Sequence, residues 1–223
     1  MAKLTGSPAK KNPADAVELQ VYRILIFGLL LFVLVAALSI PFVYETQTLW
    51  YKIGGDKTML RAAQLVGLLA LVLLCVQIML AVRGQFLKRL FGVTALMRRH
   101  RTNGILVSLL ALGHAILVLA PEGLSNLPIG KEHWPEMVGI VLLTIVLSMA
   151  ISAHFREKLA LDYKRWREIH KLLGYSTMPL LAVHVLFVCE SFEHAVPKFG
   201  LISLLFGVAG AVGVSKKAMR QAT

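Results

Sequence analysis

The chain has 223 residues, 57% hydrophobic and 16% charged, with mean hydropathy +0.70 and a formal net charge of +12. That balance excludes an ordinary soluble domain and points to a chain that lives in a lipid bilayer. The basic excess is sorted into alternate loops between apolar runs, so it signals topology, and no nucleic-acid partner is expected.

Residues 1–21 are polar, with Gly6, Pro8, Pro13 and several lysines, and are expected to form a flexible cytoplasmic arm. No small-residue cleavage site follows, so the first span is expected to be retained. Residues 22–215 hold six uncharged runs, Ile24 to Tyr44, Ala62 to Val82, Thr102 to Pro121, Met137 to Phe155, Leu172 to Cys189 and Phe199 to Ser215. Each matches or approaches the roughly 20 helical residues that cross a hydrocarbon core. The last two are the shortest and are expected to use tilt or interfacial flanks. Residues 216–223 form a basic cytoplasmic tail.

Between these runs, Leu87, Leu90, Phe91 and Thr94 lie at helical spacing within Gly84 to Arg99, which predicts a short helix on the membrane surface. Arg156 to Ile169 is densely charged and carries Tyr163 and Trp166, aromatic residues suited to the membrane boundary. The third loop is acidic and turn-rich, with Glu122, Glu132 and Glu136 beside Pro121, Pro128 and Pro135, and the fifth is short, from Glu190 to Lys198. Cys75 and Cys189 both fall inside predicted spans and are read as small apolar residues rather than as a disulfide or metal pair.

Loop charge sets the orientation. The N-terminal arm carries Lys3, Lys10, Lys11 and Arg23, and the second loop Arg83, Lys88, Arg89, Arg98, Arg99 and Arg101. The fourth has Arg156, Lys158, Lys164, Arg165, Arg167 and Lys171, and the tail Lys216, Lys217 and Arg220. The alternate loops have Lys52, Lys57 and Arg61, then Lys131, then Lys198. The positive-inside rule puts both termini in the cytoplasm. The expected fold is all-α, a six-transmembrane-helix bundle.

Two spans carry one pattern, His100-x3-Gly104-x9-His114 and His170-x3-Gly174-x9-His184. Fourteen helical residues advance about 21 Å and return to within roughly 40° of the same face. Both spans enter from the cytoplasmic side, so they run parallel, and matching depth pairs His100 with His170 and His114 with His184. A lone histidine in a span is often a hydrogen-bonded packing residue, but two equal spacings in two parallel spans point to ligation. Two axial imidazoles suit low-spin haem iron, and the two irons would stand about 20 Å apart along the membrane normal. Gly104 and Gly174 would admit a porphyrin edge, and Arg98, Arg99, Arg101, Arg165 and Arg167 are candidate propionate partners at the inner pair. Pro179 is expected to bend its helix, with Ser176 and Thr177 satisfying freed backbone groups. His154 is a candidate substitute ligand, and His133 and His194 are read as solvated loop residues.

The segments Arg98-Arg99-His100-x3-Gly104-x9-His114 and Lys164-Arg165-Trp166-x3-His170-x3-Gly174-Tyr175-x8-His184 resemble the ferric reductase-like transmembrane domain family. That family includes the membrane cores of NADPH oxidases and ferric reductases and the haem-binding membrane subunit of the bacterial methionine sulfoxide reductase system. The resemblance spans nearly the whole chain and implies b-type haem on the four histidines, two groups and one at the minimum. It also implies an integral, multi-pass protein of a bacterial inner membrane that relays electrons to an outer-side acceptor. The chain ends at Thr223 and holds no Gly-rich dinucleotide fingerprint, so the electrons are expected from a cytoplasmic flavin (FMN or FAD) reductase or a quinol. Two other readings stay open. One is a single-haem subunit of a periplasmic methionine sulfoxide reductase system, and the other a proton or metal-ion transporter using the intramembrane histidines.

Overall fold

The computed structural model describes residues 13–122 and 129–221. Expectations for the start of the N-terminal arm, for Pro128 in the third loop and for the last two residues of the tail lie outside the described residues. Among the described residues, eight α-helices follow one another: α1 (Pro13–Val43), α2 (Gln47–Trp50), α3 (Gly54–Val82), α4 (Gln85–Phe91), α5 (Val93–Glu122), α6 (Trp134–Phe155), α7 (Tyr163–Val188) and α8 (Ala195–Gln221). Short 3-10 turns cover Lys131–His133 and Glu190–Glu193. Among the described residues, α1, α3, α5, α6, α7 and α8 are long and apolar enough to cross a membrane.

Most of these helices outrun the apolar stretches that mark them. Helix α5 begins at Val93 and α7 at Tyr163, which carries Arg98 to Arg101 and Lys164 to Lys171 onto helical turns rather than loops. Arg, Lys and Glu are good helix formers, so charge ends the lipid-crossing part without ending the hydrogen-bond ladder. The same reason carries helix past the apolar runs at both ends of the described chain. Helix α1 starts at Pro13, a residue suited to a first helical turn, so residues 13–21 are helical, and α8 continues through Gln221.

Turn chemistry sets the breaks. Arg83 adopts a left-handed conformation with φ 51 that ends α3, and Gly92, at φ 76, separates α4 from α5. The expected surface helix therefore forms over Gln85–Phe91, while Thr94 belongs to α5. Asp162 caps α7, its carboxylate accepting from the Arg165 backbone N–H at 2.8 Å. Helix α7 runs through Pro179, which cannot bond the Tyr175 carbonyl. Ser176 and Thr177 do not replace that bond; their hydroxyls donate to the carbonyls of Leu173 and Gly174, each at 2.8 Å.

Helices α3, α5, α6, α7 and α8 close into a ring, each packed on the next, and α1 lies outside against α3. Helices α5 and α7 stand across this ring, with α3 beside the first and α6 beside the second. Helix α3 is the most enclosed: 33% of its most apolar stretch is buried, against 11% in α1, α5, α6 and α7. Its Leu68, Leu71, Val72 and Leu74 form the core with Val107, Leu142, Val146, Leu181 and Leu201. The outer surface is apolar, Phe32 being 71% and Phe206 74% exposed, as a lipid-facing surface requires. Polar ties sit at the helix ends. Arg23 donates to the Leu90 carbonyl from Nε at 3.0 Å and from a terminal nitrogen at 2.6 Å. At the opposite end, Arg61 pairs with Glu45 and the Pro41 carbonyl, and the Ser191 hydroxyl donates to Tyr44 O at 2.7 Å.

Candidate functional site

His100 and His114 lie on α5, and His170 and His184 on α7, all four half-buried. Because both helices are continuous, each keeps its two imidazoles about 21 Å apart along its axis. Across the ring the imidazoles meet by depth. The His100 and His170 ring centroids are 6.4 Å apart with planes at 73°, and those of His114 and His184 are 6.4 Å apart at 81°. Two parallel helices facing each other leave no other pairing within side-chain reach.

These separations have a chemical meaning. A metal held between two imidazoles needs two bonds of about 2 Å, and the ring radius at each end brings the centroids to roughly 6 Å. Both centroid separations are close to that distance. Among the described residues there is no cluster of three or more His, Cys, Asp or Glu side chains placed to hold a metal ion. Two imidazoles are too few for a bare zinc ion, which takes four ligands, and suffice for iron whose four equatorial positions a porphyrin fills.

The two pairs are held differently. In the deep pair each ring donates its Nδ1–H to a backbone carbonyl on a neighbouring helix, His114 to Ala63 on α3 at 2.9 Å and His184 to Pro135 on α6 at 3.2 Å. A carbonyl can only accept, so Nδ1 carries the proton and Nε2 keeps its lone pair. In the inner pair Nδ1 of His100 and Nδ1 of His170 are both buried with no hydrogen-bond partner, an arrangement that is costly unless a further group completes it.

Side chains surround that inner pair instead. Gln77 on α3 donates to the His100 backbone carbonyl at 3.0 Å, and its Nε2 lies 3.5 Å from the His100 Nε2. Asn103 holds Gln77 in place, donating to its Oε1 and to the Leu73 carbonyl, both at 2.9 Å. The Trp166 ring lies 5.0 Å from that of His170 and donates from Nε1 to the Ser152 hydroxyl at 3.3 Å. Gln77 and Asn103 went unmarked in the sequence reading, although each is an amide in or beside an apolar span.

The other expected site residues are placed less directly. A side chain at Gly174 would meet nothing within 4 Å, so open space does lie there. At Gly104 a Cβ would lie 2.8 Å from Gln77 Nε2, so this α3 side chain occupies the room that glycine leaves. Arg99 stacks over Phe91 at 4.7 Å and Phe27 at 6.0 Å, so its charge is engaged by aromatic faces. Arg167 pairs with Glu168 and lies over Tyr163, while Arg98, Arg101 and Arg165 are exposed. His154 is exposed with its ring against Phe155, His133 is exposed, and His194 packs on Tyr44. On α3 and α6, Gln64 Oε1 and Glu136 Oε2 are buried with no hydrogen-bond partner.

The family model described as ferric reductase like transmembrane component matches residues 66–181, a stretch that contains His100, His114 and His170 and ends just before His184. No curated protein and no solved structure matches the chain.

Proposed function

Given that the chain belongs to the ferric reductase-like transmembrane family, and so is a multi-pass membrane protein suited to electron transfer, we propose that it is a b-type cytochrome relaying electrons across the membrane. In this reading His100 and His170 hold the inner haem, and His114 and His184 the outer one. The observation that carries it is the repeated pair, two imidazole couples with equal 6.4 Å separations at two depths of one bundle. Held by these two histidine pairs, haem would supply one-electron chemistry, and the commitment of both imidazoles of a pair to its iron would favour electron transfer over oxygen binding.

The residues of the chain do the positioning. Helices α5 and α7 set the spacing between the two levels, and α3 and α6 hold the deep rings through backbone carbonyls. Orientation follows loop charge: the end bearing His100 and His170 also bears the second and fourth loops and the tail, which carry most of the lysines and arginines. That end faces the cytoplasm, receives electrons from a flavin reductase or a quinol, and passes them toward an acceptor on the outer side.

The test is the haem content of protein made with ample haem, read with a dithionite-reduced minus oxidised spectrum. Two haems per chain with b-type bands are expected. One haem per chain selects the single-haem subunit of a periplasmic reductase, and a colourless protein overturns the cytochrome reading in favour of an ion transporter.

A further inference from the structure

The deep histidines sit against two glycines on two different helices. A Cβ at Gly67 on α3 would lie 2.8 Å from His114 Nδ1 and 2.9 Å from its Cε1. A Cβ at Gly139 on α6 would overlap the His184 ring, 2.7 Å from Nδ1 and in closer contact with Cε1. Either position is nearer than a real Cβ comes to a ring, so any side chain there displaces the imidazole. In both cases the carbonyl that accepts the ring Nδ1–H stands four residues earlier, Ala63 before Gly67 and Pro135 before Gly139. One helical turn separates i from i+4, so the carbonyl points along the axis toward the glycine. Its first lone pair serves the helix and its second is left for the ring.

We infer that Gly67 and Gly139 are positioning residues of the deep pair. Each opens one flanking helix so that a histidine lies in its groove, donates Nδ1–H to the carbonyl one turn back, and presents Nε2 as the coordinating nitrogen. The two stretches are alike as well, Ala63-Gln64-Leu65-Val66-Gly67 and Pro135-Glu136-Met137-Val138-Gly139 sharing the valine and the glycine, with Gln64 standing where Glu136 does and Leu65 where Met137 does. No such device serves the inner pair, whose Nδ1 atoms are buried without partners. A carbonyl bond at the distal ring nitrogen makes an imidazole a stronger donor to a metal. The role in ligation rests on the cytochrome reading; the hydrogen-bonded tautomer does not.

Gly67→Ala and Gly139→Ala test this, with Gly28→Ala and Gly207→Ala as controls, both exposed with nothing within 4 Å of an added Cβ. On protein without haem, nitrogen NMR of the histidine rings is expected to show the Nδ1–H tautomer at His114 and His184, and its loss at the affected ring in each test variant. On protein with haem, one of the two midpoint potentials is expected to move upward and one low-spin ferric EPR signal to shift, the other haem acting as internal control. Alanine favours helix over glycine, so a glycine with no part in seating the ring predicts unchanged or raised thermal stability with no change at either haem. Should Gly139→Ala fail to fold, Gly67→Ala and the wild-type tautomers decide. Nε2–H tautomers in the wild type overturn the inference, as do variants with wild-type tautomers and potentials. A wild type that takes up no haem sinks the cytochrome reading and leaves the NMR result to judge the glycines.

Discussion

The deep and inner histidine pairs share a separation but not a construction. The deep rings are fixed by main chain, with carbonyls of α3 and α6 on one side and bare glycine grooves beneath. The inner rings are surrounded by side chains, with Gln77, Asn103 and Trp166 around them and a basic membrane boundary nearby. A site built from backbone tolerates no added atom yet needs no particular neighbour. A site built from side chains can adjust, and each neighbour tunes it by a modest amount. The deep site should therefore fail abruptly and the inner one by degrees.

The largest expected effect removes a ligand. His114→Ala or His184→Ala should abolish one haem of the two and leave the inner spectrum intact; haem content equal to wild type would break the pairing. Next come the glycines that follow the inner histidines, where the two positions should part company. Gly104→Leu must push aside Gln77 and overpack α3 against α5, at about 1–3 kcal/mol, so thermal unfolding should move before haem is lost. Gly174→Leu projects into open space, so the fold should hold while inner haem occupancy falls. Loss of stability at Gly174 and none at Gly104 would invert this comparison.

Smaller effects sharpen it. Gln77→Leu removes the amide that reaches the His100 carbonyl and should cost about 1 kcal/mol, with a shifted inner haem potential and an unmoved deep one. An equal shift at both depths would deny that Gln77 acts locally. Trp166→Phe keeps an aromatic face on His170 and drops the bond to Ser152, so a few tenths of a kcal/mol and a slight change in the inner spectrum are expected.

Much of the fold was legible in the chain. The six apolar runs correspond one for one to α1, α3, α5, α6, α7 and α8, because lipid demands a length and a composition that are written locally. Helix ends were less legible: hydropathy marks where lipid begins, whereas the hydrogen-bond ladder of α5 and α7 continues through Arg98 to Arg101 and Lys164 to Lys171. Among site residues, the four histidines stood out by their spacing. The neighbours of the arginines were not legible, since Arg99 lies over the rings of Phe91 and Phe27, which no sequence interval predicts.

Spacing along a helix is a property of one segment, so the sequence sufficed to put His100 level with His170 and His114 level with His184 once loop charge made the two helices parallel. Contacts between helices are not written in any one segment. That Gly67 and Gly139 lie beneath the deep rings, that Gln77 fills the groove at Gly104, and that α5 and α7 face each other across a ring closed by α3, α6 and α8 depend on rotation and crossing of whole helices. In lipid those are set by packing among small residues and scattered polar ties, which a hydropathy pattern does not encode.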